Sequence, residues 1–305
     1  MSGGRKVIIE TAEAPGVEGQ WHPLEEVISS TTQPGITTTR TQRDVFRFDA
    51  QRQRRLAETT ESEQTRANGS TRNDQRTWVV DLDGRLTLSS GYTEERRLVS
   101  PGIQQNNTTV SVRSPEGSLR EAERTESNEH EVSADVVRHD STHLMRDPNG
   151  RWVPIEARGR ETRGIGSAER VEEETVQGPN LNGALVVRDK VLTRTSESDG
   201  ENRVVIETYS QGAEGFVRSD SRLALQQRIR RSTTAAADGG GSTIEEIEAR
   251  DPLAPSDPMR VTRRTVVTVR NAGPGRRVTE RQMFERDVNG RMVLVSTDSE
   301  ESPEK

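Results

Sequence analysis

Asp147-Pro148-Asn149-Gly150-Arg151-Trp152 and Asp287-Val288-Asn289-Gly290-Arg291-Met292 are two copies of one phrase, and Asp81-Leu82-Asp83-Gly84-Arg85-Leu86 is a third. Looser copies are Val17-Glu18-Gly19-Gln20-Trp21, Pro115-Glu116-Gly117-Ser118-Leu119, Leu181-Asn182-Gly183-Ala184-Leu185 and Ala213-Glu214-Gly215-Phe216. From Gly84 through Gly117, Gly150 and Gly183 to Gly215 the glycines advance by 33, 33, 33 and 32 residues. A fixed period in this range marks a repeat architecture.

The gap from Gly19 to Gly84 leaves room for one further unit, with Phe48-Asp49-Ala50-Gln51 as its degenerate turn. The longer gap from Gly215 to Gly290 holds two units and some additional residues. Those are expected at 234–243, and Ser256-Asp257-Pro258-Met259 falls 33 residues before its counterpart at the end. The whole chain 1–305 thus reads as one array of about nine units, with turns near residues 19, 50, 84, 117, 150, 183, 215, 257 and 290 and a polar tail at 299–305.

Asn-Gly or Asp-Gly between apolar runs predicts a hairpin with a two-residue type I′ turn, because those residues accept positive φ. Asn149, Gly150, Asn289 and Gly290 are the turn residues on this reading, with Gly19, Gly84, Gly117, Gly183 and Gly215 their equivalents. Halfway between them, Gln33-Pro34-Gly35, Ala67-Asn68-Gly69-Ser70, Ser100-Pro101-Gly102, Ser198-Asp199-Gly200 and Asn271 to Gly275 read as looser connections. Val outnumbers Leu by 29 to 15, which suits pleated strands rather than helices. Two turns per period leave strands of about 10 to 14 residues, roughly 35 to 45 Å long. The expected fold is all-β: about eighteen antiparallel strands in an extended or superhelical meander. Residues 221–237 permit a helical period, but their phase in the repeat places a strand there.

Composition agrees with a thin core. The 305 residues are 29% hydrophobic, 31% charged and 3% aromatic, with no cysteine and a net charge of −6. Acids and bases are interspersed, and 41 arginines against three lysines (Lys6, Lys190 and Lys305) favour planar guanidinium pairing with neighbouring carboxylates. A slightly acidic protein without a basic run or interleaved aromatics lacks the footprint of a nucleic-acid binder. No apolar run approaches a membrane-spanning length, and three Trp, two Tyr and four Phe are too few for the aromatic girdles of an outer-membrane barrel. The start has only Val7-Ile8-Ile9 before Glu10, too short for a signal-peptide core, so a cytoplasmic protein or a processed extracellular piece is expected.

The recurring Asp-x-Asn-Gly-Arg turn followed by an apolar residue resembles the tandem β-hairpin repeats of uncharacterised bacterial proteins built from units of this length. That resemblance implies a fold and no activity. A weaker likeness is to the Rhs/YD repeats, carried by Asp81 to Leu86; the period and the missing tyrosine depart from that pattern.

The sequence holds no compelling chemistry. His139, Asp140 and His143 with His130 upstream have no counterpart in other units and read as solvated residues rather than metal ligands. Asp287-Val288-Asn289-Gly290 starts like a calcium loop, but Arg291 onward supplies no further oxygen ligands. Nucleophile elbows, phosphate loops and zinc-protease helices are missing. Asn68-Gly69-Ser70 and Asn107-Thr108-Thr109 fit a glycosylation pattern that matters only in a secretory pathway. No enzyme, cofactor or metal is expected.

The column two residues past the turn is the most suggestive feature: Trp21, Leu86, Leu119, Trp152, Leu185, Met259 and Met292, with Phe216 one residue early. It reads foremost as core and alternatively as a binding ladder. Two roles follow. A structural or scaffold protein would self-associate through its first and last strands, Lys6 to Glu13 and Met292 to Asp298. An interaction module would present a repetitive face to a protein or polysaccharide partner.

Overall fold

The computed structural model describes residues 5–15, 20–49, 51–211, 223–236, 239–250, 258–273 and 276–303. It contains eighteen β-strands of one antiparallel sheet, and no helix among the described residues. The expected repeat of hairpins is therefore the observed fold. Of residues 221–237, those at 224–235 follow the phase of the repeat as strand Ala224–Ala235, while 221, 222 and 237 lie outside the described residues.

The protein divides into two compact units. Unit 1 (Met1–Glu129 and Ser141–Ile155) holds β1 (Lys6–Pro15), β2 (Trp21–Thr32), β3 (Thr38–Phe48), β4 (Arg54–Ala67), β5 (Ser70–Val80), β6 (Leu86–Ser100) and β7 (Ile103–Arg113). Unit 2 (His130–Asp140 and Glu156–Lys305) holds β11 (Glu169–Pro179), β12 (Leu185–Ser198), β13 (Glu201–Ser210), β14 (Ala224–Ala235), β15 (Gly241–Ala249), β16 (Arg260–Gly273), β17 (Arg276–Arg286) and β18 (Met292–Pro303). The strands β8 (Leu119–Ser133), β9 (Val136–Arg146) and β10 (Trp152–Arg163) contribute residues to both.

Within each unit consecutive strands pair antiparallel. In unit 1, Val27 of β2 faces Val45 of β3, and they are the only buried hydrophobic residues among the described ones, at 7% and 6% exposure. Most of the other described side chains are half-buried or exposed, so they shield chiefly their neighbours. Stability then rests on the backbone ladder and on cross-strand pairs worth roughly 0.2–1 kcal/mol each. Threonine and serine hydroxyls make several of these, as in Thr31–Thr41 and Thr60–Thr77 in unit 1 and Thr233–Thr243 in unit 2.

Four expectations need correction. The Asp-x-Asn-Gly turns are not two-residue type I′ turns. In 81–85, 147–151 and 287–291 only the glycine has positive φ (Gly84 78°, Gly150 78°, Gly290 79°), and its amide donates to the Asp carbonyl three residues back. This is a type I turn closed by a left-handed glycine, a three-residue loop. The supposedly looser connections include the tightest turns: Asn68-Gly69 (φ 48° and 75°) and Asp199-Gly200 (φ 52° and 74°) have both residues left-handed, closing the pairs Ala67↔Ser70 and Ser198↔Glu201.

Thirdly, 234–243 is no insertion, since Thr234 pairs with Ser242 and Ala235 with Gly241 in the β14–β15 register. The extra length lies instead between β13 and β14 and between β15 and β16, where most residues fall outside the described set. Finally, most of the tail at 299–305 is strand, because β18 stays in register with β17 out to Arg276↔Pro303.

Candidate functional site

Each loop of the repeated phrase is built around its first residue. The Asp147 carboxylate accepts the amides of Asn149 and Arg151 at 2.9 and 2.8 Å, while the Asp147 amide donates to the Arg151 carbonyl. Asp81, Asn180 and Asp287 repeat this arrangement. Asp49 does so too, with Arg52 (φ 60°) in the glycine's place. The Gln53 amide, together with Arg55 and the Gln51 amide, holds the Asp49 carboxyl below the usual carboxylate range, against the opposing effect of desolvation. Ser114 closes the Gly117 loop (φ 85°) through backbone bonds and its hydroxyl, which meets that of Ser118. Gly183 (φ 78°) occupies the same position in its loop. In two loops an arginine before the Asp adds a clamp: Arg146 donates to the Gly150 carbonyl at 3.0 Å and Arg286 to the Gly290 carbonyl at 2.6 Å. Gly19 and Gly215 lie outside the described residues.

The apolar column does not form a core. Trp21 is 64% and Leu86 48% exposed, and Leu119, Trp152, Leu185, Met259 and Met292 are half-buried. Phe216 lies outside the described residues. These residues begin or adjoin strands at the loop end of each hairpin, opposite Pro15, Val80, Pro179 and Arg286 in the pairs Pro15↔Trp21, Val80↔Leu86, Pro179↔Leu185 and Arg286↔Met292. Leu119 packs over Gly91, where a Cβ would sit 3.0 Å from its Cδ1. The guanidiniums of Arg124 and Arg146 both lie over Trp152, at 4.8 and 4.7 Å from the ring centre, and Glu121 reaches both arginines at 3.4 Å. Arg54 covers Phe46 at 3.7 Å and binds Glu26 at 2.7 Å. Arginine thus covers these rings, through cation–π contact and the aliphatic stem.

Two polar assemblies were not legible as linear motifs. In unit 1 a cleft of about 990 Å³ is lined by residues that include Arg40, Glu63, Arg72, Asp74 and Arg76. Arg72 binds Asp74 at 2.7 Å and Thr93 donates to it at 3.0 Å; the Arg72 bond, then the Thr93 hydroxyl, lowers the Asp74 carboxyl against desolvation. In unit 2, Glu207 (7% exposed) accepts from Arg228 at 2.8 Å, Arg194 at 3.2 Å and Tyr209 at 3.1 Å, and Arg228 continues to Glu248 at 3.0 Å. Burial pushes Glu207 up, but Arg228, Tyr209 and Arg194 outweigh it and leave the carboxyl below its ordinary value. This ionic series is a product of register, since Glu207 faces Arg228 and Arg228 faces Glu248.

The histidines are dispersed among carboxylates and arginines: His143 Nε2 lies 3.4 Å from Glu123, and His22 meets Arg52 at 3.2 Å. Among the described residues no group of three or more His, Asp or Glu side chains is arranged to hold a metal.

No protein-family model matches the protein, and no curated protein matches it in sequence. One solved structure, a porin-like protein from Bacteroides uniformis, aligns over 92% of this protein and 96% of its own length at 8% identity, with a TM-score of 0.15. A likeness at that score carries no argument about fold or function.

Proposed function

We propose that the protein is a structural or scaffold element that associates with further copies of itself through its terminal strands, as a member of a tandem hairpin-repeat family. The supporting observation is where its uncovered aliphatic residues gather. Val7, Ile8 and Ile9 of β1 are all exposed, Ile9 at 61%, and so are Val293, Leu294 and Val295 of β18, Leu294 at 54%. Strands of this composition recruit further strands unless charge or proline blunts them, and a contact between unlike ends propagates into a filament. The same loops and cross-strand pairs recur along the sequence, as expected of an element whose role is extension.

Sedimentation at rising protein concentration, with electron microscopy of the product, tests this reading. Growth with concentration is expected, and Ile9→Lys or Leu294→Lys should suppress it by placing charge on an edge. A protein that stays monomeric throughout sinks the proposal. The alternative, an interaction module for a protein or polysaccharide, is favoured by the exposed column that starts at Trp21 and Leu86. A monomer whose tryptophan fluorescence shifts on adding polysaccharide would support it instead.

A further inference from the structure

Four Asn-Gly dipeptides occur in the sequence: Asn68-Gly69, Asn149-Gly150, Asn182-Gly183 and Asn289-Gly290. All eight residues lie in turns and all are exposed, so accessibility does not distinguish them. Glycine after asparagine leaves the backbone nitrogen unhindered for attack on the carboxamide carbon of the asparagine. The Gly nitrogen bonds to Asn Cγ and gives its proton to water, and the carboxamide Cγ–Nδ2 bond breaks with loss of ammonia. Water then opens the cyclic imide at either carbonyl, giving aspartate or its β-linked isomer. The net change replaces the carboxamide NH2 with OH, consumes one water and involves no oxidant.

What distinguishes the four sites is the hold on the attacking nitrogen. Gly150, Gly183 and Gly290 each donate their amide to a carbonyl three residues back, at 2.9 Å in all three. The Asn amide before each is tied to the capping side group of Asp147, Asn180 or Asp287, and the residue after each glycine is tied to the same oxygen. At 149 and 289 the arginine clamp adds a further bond. At Asn68-Gly69 the nitrogen has no such hold, since the side-chain bond across this turn, from the Ser70 hydroxyl to the Ala67 carbonyl at 2.7 Å, does not engage it. Its hairpin closes at Ala67↔Ser70, which leaves both turn amides outside the ladder, and no acceptor among the described residues engages the Gly69 amide. The space beside Gly69 is open, with nothing within 4 Å of where a Cβ would stand.

We propose that Asn68 is a site of spontaneous deamidation and isomerisation, and that it reacts ahead of Asn149, Asn182 and Asn289 because their capped turns withhold the nucleophile. Reaction requires the turn to open, and opening free energies follow the number of bonds that must break. The β-linked product adds a backbone atom to a loop that closes in two residues, and either product places a carboxylate in that turn. The change therefore acts first on the β4–β5 hairpin. This inference does not depend on the scaffold reading.

The full-length folded protein is incubated at mildly alkaline pH, and the four sites are quantified by peptide mapping with enzymatic methylation of isoaspartate. Asn68 should convert about tenfold faster than the other three, the ratio for one or two additional turn hydrogen bonds. In denaturant the four rates should converge. Equal rates in the folded protein, or faster reaction at Asn149, would overturn the proposal. Asp147→Ala should raise the rate at Asn149 while Asn289 in the same molecule keeps its own, and Asp287→Ala should do the converse. If neither variant changes its neighbouring asparagine, the capping explanation fails.

Discussion

The two ends of the hairpins solve one problem differently. At the end that carries the repeated phrase, the backbone reverses in three residues, with a side-group cap and one left-handed residue. At the opposite end it reverses in two left-handed residues at 68–69 and 199–200, with no comparable cap. The strands differ accordingly. Hairpins closed by the capped loop carry a register shift a few residues before it, as at Val45/Phe46, Thr77/Trp78, Val176/Gln177 and Met283/Phe284. Hairpins closed at 68–69 and 199–200 run without one. An extra residue bends a strand and sharpens its twist. Strict alternation at the opposite end belongs to the two-residue turns themselves, since β6–β7 and β16–β17, which close there through other turns, shift register at Leu98/Ser100 and Asn271/Gly273.

If glycine serves different needs at the two ends, substitutions should separate them. The largest effect is expected at Gly164, which follows β10 in unit 2. Its φ is 74°, and an added Cβ would meet the Glu169 carbonyl oxygen at 2.1 Å, so both conformation and space demand glycine there. Gly164→Val should destabilise unit 2 by about 3 kcal/mol or more, and Gly164→Asn should fare little better, since asparagine relieves only the conformational part. Near-wild-type thermal unfolding of Gly164→Asn would show that the turn shifts to make room.

Gly150 comes next. Only the Arg146 guanidinium, at 3.9 Å, lies within reach of an added Cβ, so conformation alone requires glycine. Gly150→Val should cost about 1–3 kcal/mol and Gly150→Asn well under 1 kcal/mol, because asparagine tolerates the left-handed region. Denaturant unfolding distinguishes the pair, and equal losses would mean that the loop also lacks room. Asp147→Ala removes an acceptor from two amides while leaving the backbone turn in place. A loss of about 1–2 kcal/mol is expected, as for a helix cap. No loss would show that water replaces the carboxylate at these exposed amides.

The sequence made the architecture legible and its turns much less so. A 33-residue period together with Val-rich flanks is enough to place eighteen strands, because period is a property of the sequence itself. The turn type was encoded too, in a residue outside the Asn-Gly pair. Asp, Asn or Ser three places before glycine is the signature of a type I turn, and residues 81, 114, 147, 180 and 287 all supply it. The Asn-Gly pair alone favours the hairpin type that in fact occurs at 68–69. The exposure of the apolar column was illegible for another reason: fixed spacing shows that residues share a position, but whether anything covers them depends on tertiary packing, which no local pattern encodes. The Glu207–Arg228–Glu248 series was illegible because carboxylates and arginines occur at most alternate positions, and only register selects which of them meet.

The smallest expected effect concerns charge at the two-residue end. Glu201 leaves the Asp199-Gly200 turn and accepts from Arg203 at 2.6 Å and from the Ser232 hydroxyl. Those two bonds, Arg203 first, lower its pKa from an ordinary value of 4.5 to about 2 despite some desolvation. The folded carboxyl therefore binds its proton less readily than the unfolded one. The stabilisation is fully present above about pH 4.5 and is lost as the pH falls toward 2. Exposure to water keeps the contribution small. The measurement is a site-resolved NMR titration of the Glu201 carboxyl, with Arg203→Gln as comparison: the substitution should move the midpoint back toward 4.5. The capped loops provide the contrast, because Asp49 is lowered chiefly by the backbone amide of Gln53. Arg55→Gln should leave most of that depression in place, and a full return of Asp49 to its ordinary value would show that both ends hold their carboxylates with arginine.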